Sequence, residues 1–198
     1  MKILRAADYK RMPWKNGGGE TTEIAVYPPS ASVEDFDWRI SMATVSKDGP
    51  FSIFDGIDRT ISVLCGGGIT LSVEGAEDVH ITTSSAPHAF PGDKATSAKL
   101  VAGAITDLNM MAKRNRFRLQ VQRVTLSDLQ ELGSFHVPMF VISLTTNEVG
   151  LDETSLGYLD SVLLEAGETA PFFADGPMKL LLAKIIPIVS VSTRAAVS

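Results

Sequence analysis

The chain predicts an all-β domain, a sandwich or a barrel, on three observations. Runs rich in β-branched or alternating residues recur about every ten residues, Gly and Pro punctuate them, and only one short stretch carries helix signals. The 198 residues suffice for one large core or two small ones, and one compact unit is the expectation. A hydrophobic fraction of 44% with 21% charged residues matches an ordinary soluble globular chain and excludes disorder.

Taken in order, residues 3–12 hold few apolar positions before Pro13 and read as a short strand or turn. Trp14-Lys-Asn-Gly-Gly-Gly-Glu-Thr-Thr-Glu follows, its three glycines letting backbones approach closely. It is not a phosphate loop, because Lys15 precedes the glycines and residues 21–27 read as a strand rather than a helix. That strand stops at Pro28-Pro29, and residues 30–35 form a polar loop. Residues 36–43 alternate: Phe36, Trp38, Ile40 and Met42 point one way, Asp37, Arg39 and Ser41 the other.

Residues 47–59 crowd turns around Phe51 and Phe54. Residues 60–64 and 69–73 read as strands joined in a hairpin by Gly66-Gly67-Gly68. Further strands are expected at residues 79–83, 98–105, 117–124, 138–145, 161–165 and 180–191, and a two-turn helix at residues 126–132, between Ser127 and Gly133. The tail after Val191 is small and polar and should fray. A faint echo between residues 60–105 and 159–191 suggests two stacked barrels of like design.

Charge and cysteine content exclude several function classes. Eighteen basic against 23 acidic residues, without a basic stripe, argue against nucleic acid as a partner. Cys65 is alone, which excludes an intrachain disulfide and a thiolate zinc site, points to a reducing compartment, and at an apolar strand end reads as a small hydrophobe. Neither a signal-peptide core nor an apolar span of about 18 residues occurs, so the expected location is the cytoplasm, away from membranes. His80, His88 and His136 lack His-x-His spacing, so no metal or other cofactor is expected. His88 alone is kept in view, in a loop able to overhang a barrel mouth.

The remaining polar residues are oddly placed for mere surface. Arg39 lies within an apolar strand, Arg59 enters another, and Asp107 and Asn109, two apart, share a face. They admit a structural account, with Arg39 paired to Asp107 or Asp37 and Asn109 tying down a loop. They also admit a pocket in which a guanidinium holds a ligand carboxylate by two parallel hydrogen bonds, with Lys15, Asn16 and glycine amides completing it.

Together, Trp14-Lys-Asn-Gly-Gly-Gly-Glu-Thr-Thr-Glu-Ile, Phe36-Asp-Trp-Arg-Ile-Ser-Met-Ala, Asp48-Gly-Pro-Phe-Ser-Ile-Phe-Asp-Gly-Ile-Asp-Arg-Thr and Asp107-Leu-Asn-Met-Met resemble the HutD/Ves family over residues 1–115, and more diffusely beyond. The resemblance implies tandem cupin barrels, a bicupin, with residues 1–107 in the first and 108–198 in the second, and no metal-binding histidines. It implies a role in bacterial histidine utilisation, binding a small carboxylate metabolite such as urocanate or formylglutamate and moderating pathway flux. The motif positions are Trp14, Lys15, Asn16, Arg39, Ser41, Phe51, Arg59, Asp107 and Asn109, the expected ligand-binding set with no catalytic residue among them. Two rival readings are a metal-independent hydrolase or isomerase using Asp107, Glu20 or His88 as acid or base, and an interaction module presenting the glycine loop. Uncovered β edges make a homodimer plausible.

Overall fold

The structure, a computed structural model, describes residues 1–14 and 17–188. Lys15 and Asn16 lie outside the described residues, as does the tail after Val191. The strands are, in order, β1 (Lys2–Leu4), β2 (Lys10–Pro13), β3 (Gly19–Tyr27), β4 (Trp38–Val45), β5 (Gly49–Pro50), β6 (Ile57–Cys65), β7 (Ile69–Val73), β8 (Val79–Ile81), β9 (His88–Pro91), β10 (Thr96–Leu100), β11 (Ile105–Lys113), β12 (Phe117–Leu126), β13 (Gln130–Gly133), β14 (Met139–Ser143), β15 (Val149–Leu151), β16 (Thr154–Leu156), β17 (Ser161–Leu164), β18 (Thr169–Phe173) and β19 (Met178–Pro187). A single 3-10 turn, Ala6–Asp8, is the only helical element among the described residues.

Antiparallel pairing sorts these strands into four sheets, ordered β2-β3-β4-β11-β6-β9, β5-β10-β7-β8, β12-β19-β14-β17-β1 and β13-β18-β15-β16. The orders β4-β11-β6-β9 and β5-β10-β7-β8 recur as β12-β19-β14-β17 and β13-β18-β15-β16, so strands four to eleven and twelve to nineteen repeat one topology. The repeat thus spans residues 38–113 and 117–187, wider than the segments 60–105 and 159–191 where an echo was expected, and the strands of those segments fall within it. β11 runs across the expected division at residues 107 and 108 and pairs with β4 and β6 throughout, so the first unit's pairing extends to Lys113.

Period-two alternation divides the side chains of β4 and β11 between two environments. Trp38, Ile40 and Met42 of β4, with Leu108, Met110 and Ala112 of β11, pack on Phe140, Ile142, Leu181, Ala183 and Ile185 and form the core between the two units. Burying each large side chain there contributes roughly 1.5–3 kcal/mol. In the second unit, Val141, Leu151, Leu156, Phe172 and Leu180 fill an apolar core. The first unit's apolar core, with Ile61, Val63, Ile69, Leu71, Ile81 and Ile105, leaves part of the large sheet's inner face to polar residues.

The N-terminus ties the units together. β1 pairs with β17 of the second unit while β2 pairs with β3 of the first. Between them the Tyr9 hydroxyl lies 2.8 Å from the Leu159 carbonyl oxygen and 2.8 Å from Ser161 Oγ, and Asp160 accepts from Arg5 Nη1 at 2.9 Å and the Ala6 amide at 2.7 Å.

Several local expectations are corrected. Gly66-Gly67-Gly68 does not close a hairpin, because β6 and β7 belong to different sheets and the chain crosses between them. A Cβ on Gly66 would lie 2.5 Å from the Ala104 carbonyl oxygen, which accounts for glycine at that crossing. The strand expected at residues 98–105 is two strands parted at residues 101–104. No helix forms at residues 126–132: Gln130–Gly133 is a strand whose pairing with β18 overrides a weak two-turn signal. Cys65 is exposed rather than packed as a small hydrophobe.

Candidate functional site

The inner face of the first unit's large sheet is set by register. Across β4, β11 and β6, Arg39 pairs with Met111 and Met111 with Arg59. One step along, Ser41 pairs with Asn109 and Asn109 with Ile61, and a further step brings Ala43 to Asp107 and Asp107 to Val63. Arg39, Ser41, Arg59, Asp107 and Asn109 therefore share one face, and all five are buried. Burial of four polar groups and an amide on one sheet face requires each to find a partner.

Most of them do. Arg39 Nε donates to Glu23 Oε2 at 2.7 Å, and Nη1 lies 3.4 Å from Ser41 Oγ. The ion pair expected between Arg39 and Asp107 or Asp37 is absent; Glu23 of β3 holds the guanidinium, while Asp37 pairs with Lys113 at 3.1 Å and with Arg116. Arg59 Nε donates to Asn109 Oδ1 at 3.3 Å and Nη1 to the Ser52 carbonyl oxygen at 3.2 Å. Three rings surround that guanidinium, with Phe51, Phe90 and Phe54 centroids 4.7, 5.3 and 5.8 Å from its central carbon. Neither Nη2 is used by these bonds.

Asp107 is the exception. Its carboxyl is buried and neither oxygen has a hydrogen-bond partner among the described residues. Burial pushes it up to about 7 against the opposing pull of Arg59. The same burial lowers Arg59 to about 10, with Asp107 working against the shift and Arg39 with it. An unpartnered buried carboxyl costs several kcal/mol when ionised, so the face holds Asp107 poised between its neutral and ionised forms near neutral pH.

The other expected residues fall around this cluster. Phe51 stacks on Arg59. Trp14 is half-buried at the rim, its indole N–H donating to Thr21 Oγ1 at 2.8 Å; Thr21 pairs with Ala43, the neighbour of Asp107. Gly19 shows why glycine stands in that turn: a Cβ there would meet the Thr44 carbonyl oxygen at 2.2 Å and the Trp14 ring at 2.9 Å. Lys15 and Asn16 lie outside the described residues. Glu20 pairs in register with Thr44, on the opposite parity from Thr21, and faces Arg11 at 3.7 Å. His88, on β9, pairs with Ile61 and stacks on Phe90 at 6.3 Å. Among the described residues no three His, Cys, Asp or Glu side chains form a metal-binding group.

Sequence reasoning missed Glu23, Phe54 and Phe90 as parts of the site. Glu23 sits inside the first motif, but a bulge between Glu23 and Ala25 breaks the alternation that would have placed it. A groove of about 790 Å³, outside the buried face, lies between the N-terminal segment, β3 and the second unit, lined by Lys2, Tyr9, Tyr27, Trp38, Phe117 and Leu163, with Glu23 also at its wall. No helix of the described residues is long and apolar enough to cross a membrane.

Known proteins share this architecture. The family model described as HutD matches residues 6–182. An uncharacterized 21.2 kDa protein in the hutC 3′ region of Pseudomonas putida is 35% identical over 85% of this chain and 88% of its own length. Protein Ves of Citrobacter koseri is 39% identical over 69% of this chain and 71% of its own. The structure of HutD from Pseudomonas fluorescens SBW25, in a formate condition, is 31% identical, with a TM-score of 0.81 over 95% of this chain and 99% of that one. With its nearly all-β cupin fold and a family match spanning both units, this chain belongs to the HutD family.

Proposed function

We propose that this protein binds a small carboxylate metabolite, of the urocanate or formylglutamate kind, on the inner face of its first barrel, and that this binding moderates histidine utilisation without turnover. One observation carries the reading: two buried guanidiniums, from strands β4 and β6 on either side of β11, reach toward Ser41 and Asn109, each with an Nη2 that makes no hydrogen bond among the described residues. Guanidinium groups recognise carboxylates through such paired N–H donors. Bonds of this kind contribute roughly 1.5–3 kcal/mol each, so two or three suffice for micromolar affinity. The relative in the hutC 3′ region supports the link to histidine utilisation. The second barrel's apolar interior offers no comparable seat among the described residues.

The test is a calorimetric titration with urocanate and with N-formylglutamate, comparing the natural chain with Arg39→Ala and Arg59→Gln. Saturable binding that weakens by about 10–100-fold in either variant, with the near-ultraviolet circular dichroism unchanged, is the expected outcome. Equal affinity in all three proteins removes these arginines from the site.

The buried position of Asp107, poised at about 7, favours a second reading, a metal-independent enzyme in which this carboxyl moves a proton. Turnover of either compound by chelator-treated protein, lost in Asp107→Asn, would establish it in place of simple binding.

A further inference from the structure

Asp107 is the described residue whose burial the fold does not explain. Natural cores seldom leave a carboxyl without any hydrogen-bond partner, and an orphan of this kind calls for a missing donor or acceptor. The surroundings narrow the choice. Facing Asp107 from β4 are Arg39 and, directly alongside, the small side chain of Ala43; from β6 come Arg59 and Val63, from β3 Glu23, and from β9 His88. The opposing sheet contributes Ile69, Leu71, Val73 and Ala98, none of them titratable. Arg39 is neutralised by Glu23, which leaves Arg59 as the remaining strong cation of this set.

With Asp107 ionised, this set is already balanced, and a carboxylate placed over Ser41 and Asn109 would set a second anion beside the first. With Asp107 neutral, the set carries one positive charge, and the carboxyl has an O–H to give.

Resting on the carboxylate reading above, we infer that Asp107 serves the bound ligand as a proton-carrying hydrogen-bond donor, so that each carboxylate enters together with one proton from solvent. The balance is simple: the ionised carboxyl takes a proton from water or buffer, its O–H donates to a ligand oxygen, and no other bond is made or broken. Binding is therefore selective for anions and weakens as pH rises. Asp107 acts as a determinant of charge specificity rather than as a filler of the core.

The experiment uses the full chain labelled with carbon-13 at aspartate carboxyls, titrated by NMR between about pH 4 and pH 9, first alone and then in saturating acetate. A single buried resonance, assigned through its loss in Asp107→Asn, is expected to titrate near neutrality and to move upward by a pH unit or more when acetate is present. Calorimetry of N-formylglutamate in two buffers of unlike ionisation enthalpy should show close to one proton taken up per ligand above neutrality, and affinity falling about tenfold per pH unit there. Asp107→Asn, whose amide still donates, should bind with no proton exchange and little pH dependence.

Titration of the assigned carbon in the ordinary carboxyl range, or an unmoved or downward-shifted titration in acetate, overturns the inference. Proton release on binding overturns it as well. Failure of the underlying reading is distinguishable: acetate would then leave the Arg39 and Arg59 side-chain resonances unmoved at every pH, whatever Asp107 does alone.

Discussion

Replacing Asp107 by Asn separates the energetic cost of its burial from everything else in the fold. In the folded chain, burial raises this carboxyl from an ordinary 3.8 to about 7, despite the attraction of Arg59. A group raised in the folded state contributes stability that is fully present below its unfolded value and is lost as pH climbs through the folded one. The gap corresponds to roughly 4 kcal/mol, lost mostly between about pH 4 and pH 7. Asn keeps the shape without ionising, so it adds only an offset that does not vary with pH. Urea unfolding of both proteins across that range should therefore show the stability difference moving in favour of Asp107→Asn by a few kcal/mol up to about pH 7 and levelling off above it. A difference that stays flat with pH, or grows in favour of the natural chain, would refute the claim that Asp107 sits buried without a donor.

Three further outcomes follow from other contacts. Glu23→Gln removes the anion held 2.7 Å from Arg39 Nε and should destabilise the chain by about 1–2 kcal/mol while tightening acetate binding, read by unfolding and by calorimetry. Phe51→Leu keeps apolar bulk but loses the ring 4.7 Å from the Arg59 guanidinium; a loss of about 0.5–2 kcal/mol in thermal or urea unfolding is expected, with weaker carboxylate binding as Arg59 loosens. Gly19→Ala puts a Cβ 2.2 Å from the Thr44 carbonyl oxygen, so a loss of about 1–3 kcal/mol, with a change in Trp14 fluorescence, should mark the opening of that turn.

Much of this architecture was legible in local periodicity. Alternation alone placed Arg39 with Ser41, and Asp107 with Asn109, on faces opposite to Trp38, Ile40, Leu108 and Met110, as the pairing of β4 with β11 shows. Which strands would be neighbours was not legible, because it depends on contacts distant in sequence. Asn109 meets Arg59 across fifty positions, and Phe90 reaches Arg59 only because β9 pairs with β6. The bulge at Glu23 hid Arg39's partner for a related reason, since an extra residue reverses the parity that a pattern relies on. Gly66-Gly67-Gly68 misled differently: a glycine cluster marks a sharp change of direction but not whether the next strand joins the same sheet. The repeat of strand order between the two units left only a faint echo in the sequence, since Arg39 and Arg59 sit within the first unit while apolar side chains fill the second.

A crystal structure of the protein soaked with N-formylglutamate puts the central claim most directly to the test. The account predicts ligand density over Ser41 and Asn109, with a carboxylate within hydrogen-bond distance of Arg39 or Arg59 and one of its oxygens against the Asp107 carboxyl. Density confined to the outer groove beside Lys2, Tyr9 and Tyr27, with the inner face unchanged, would contradict it.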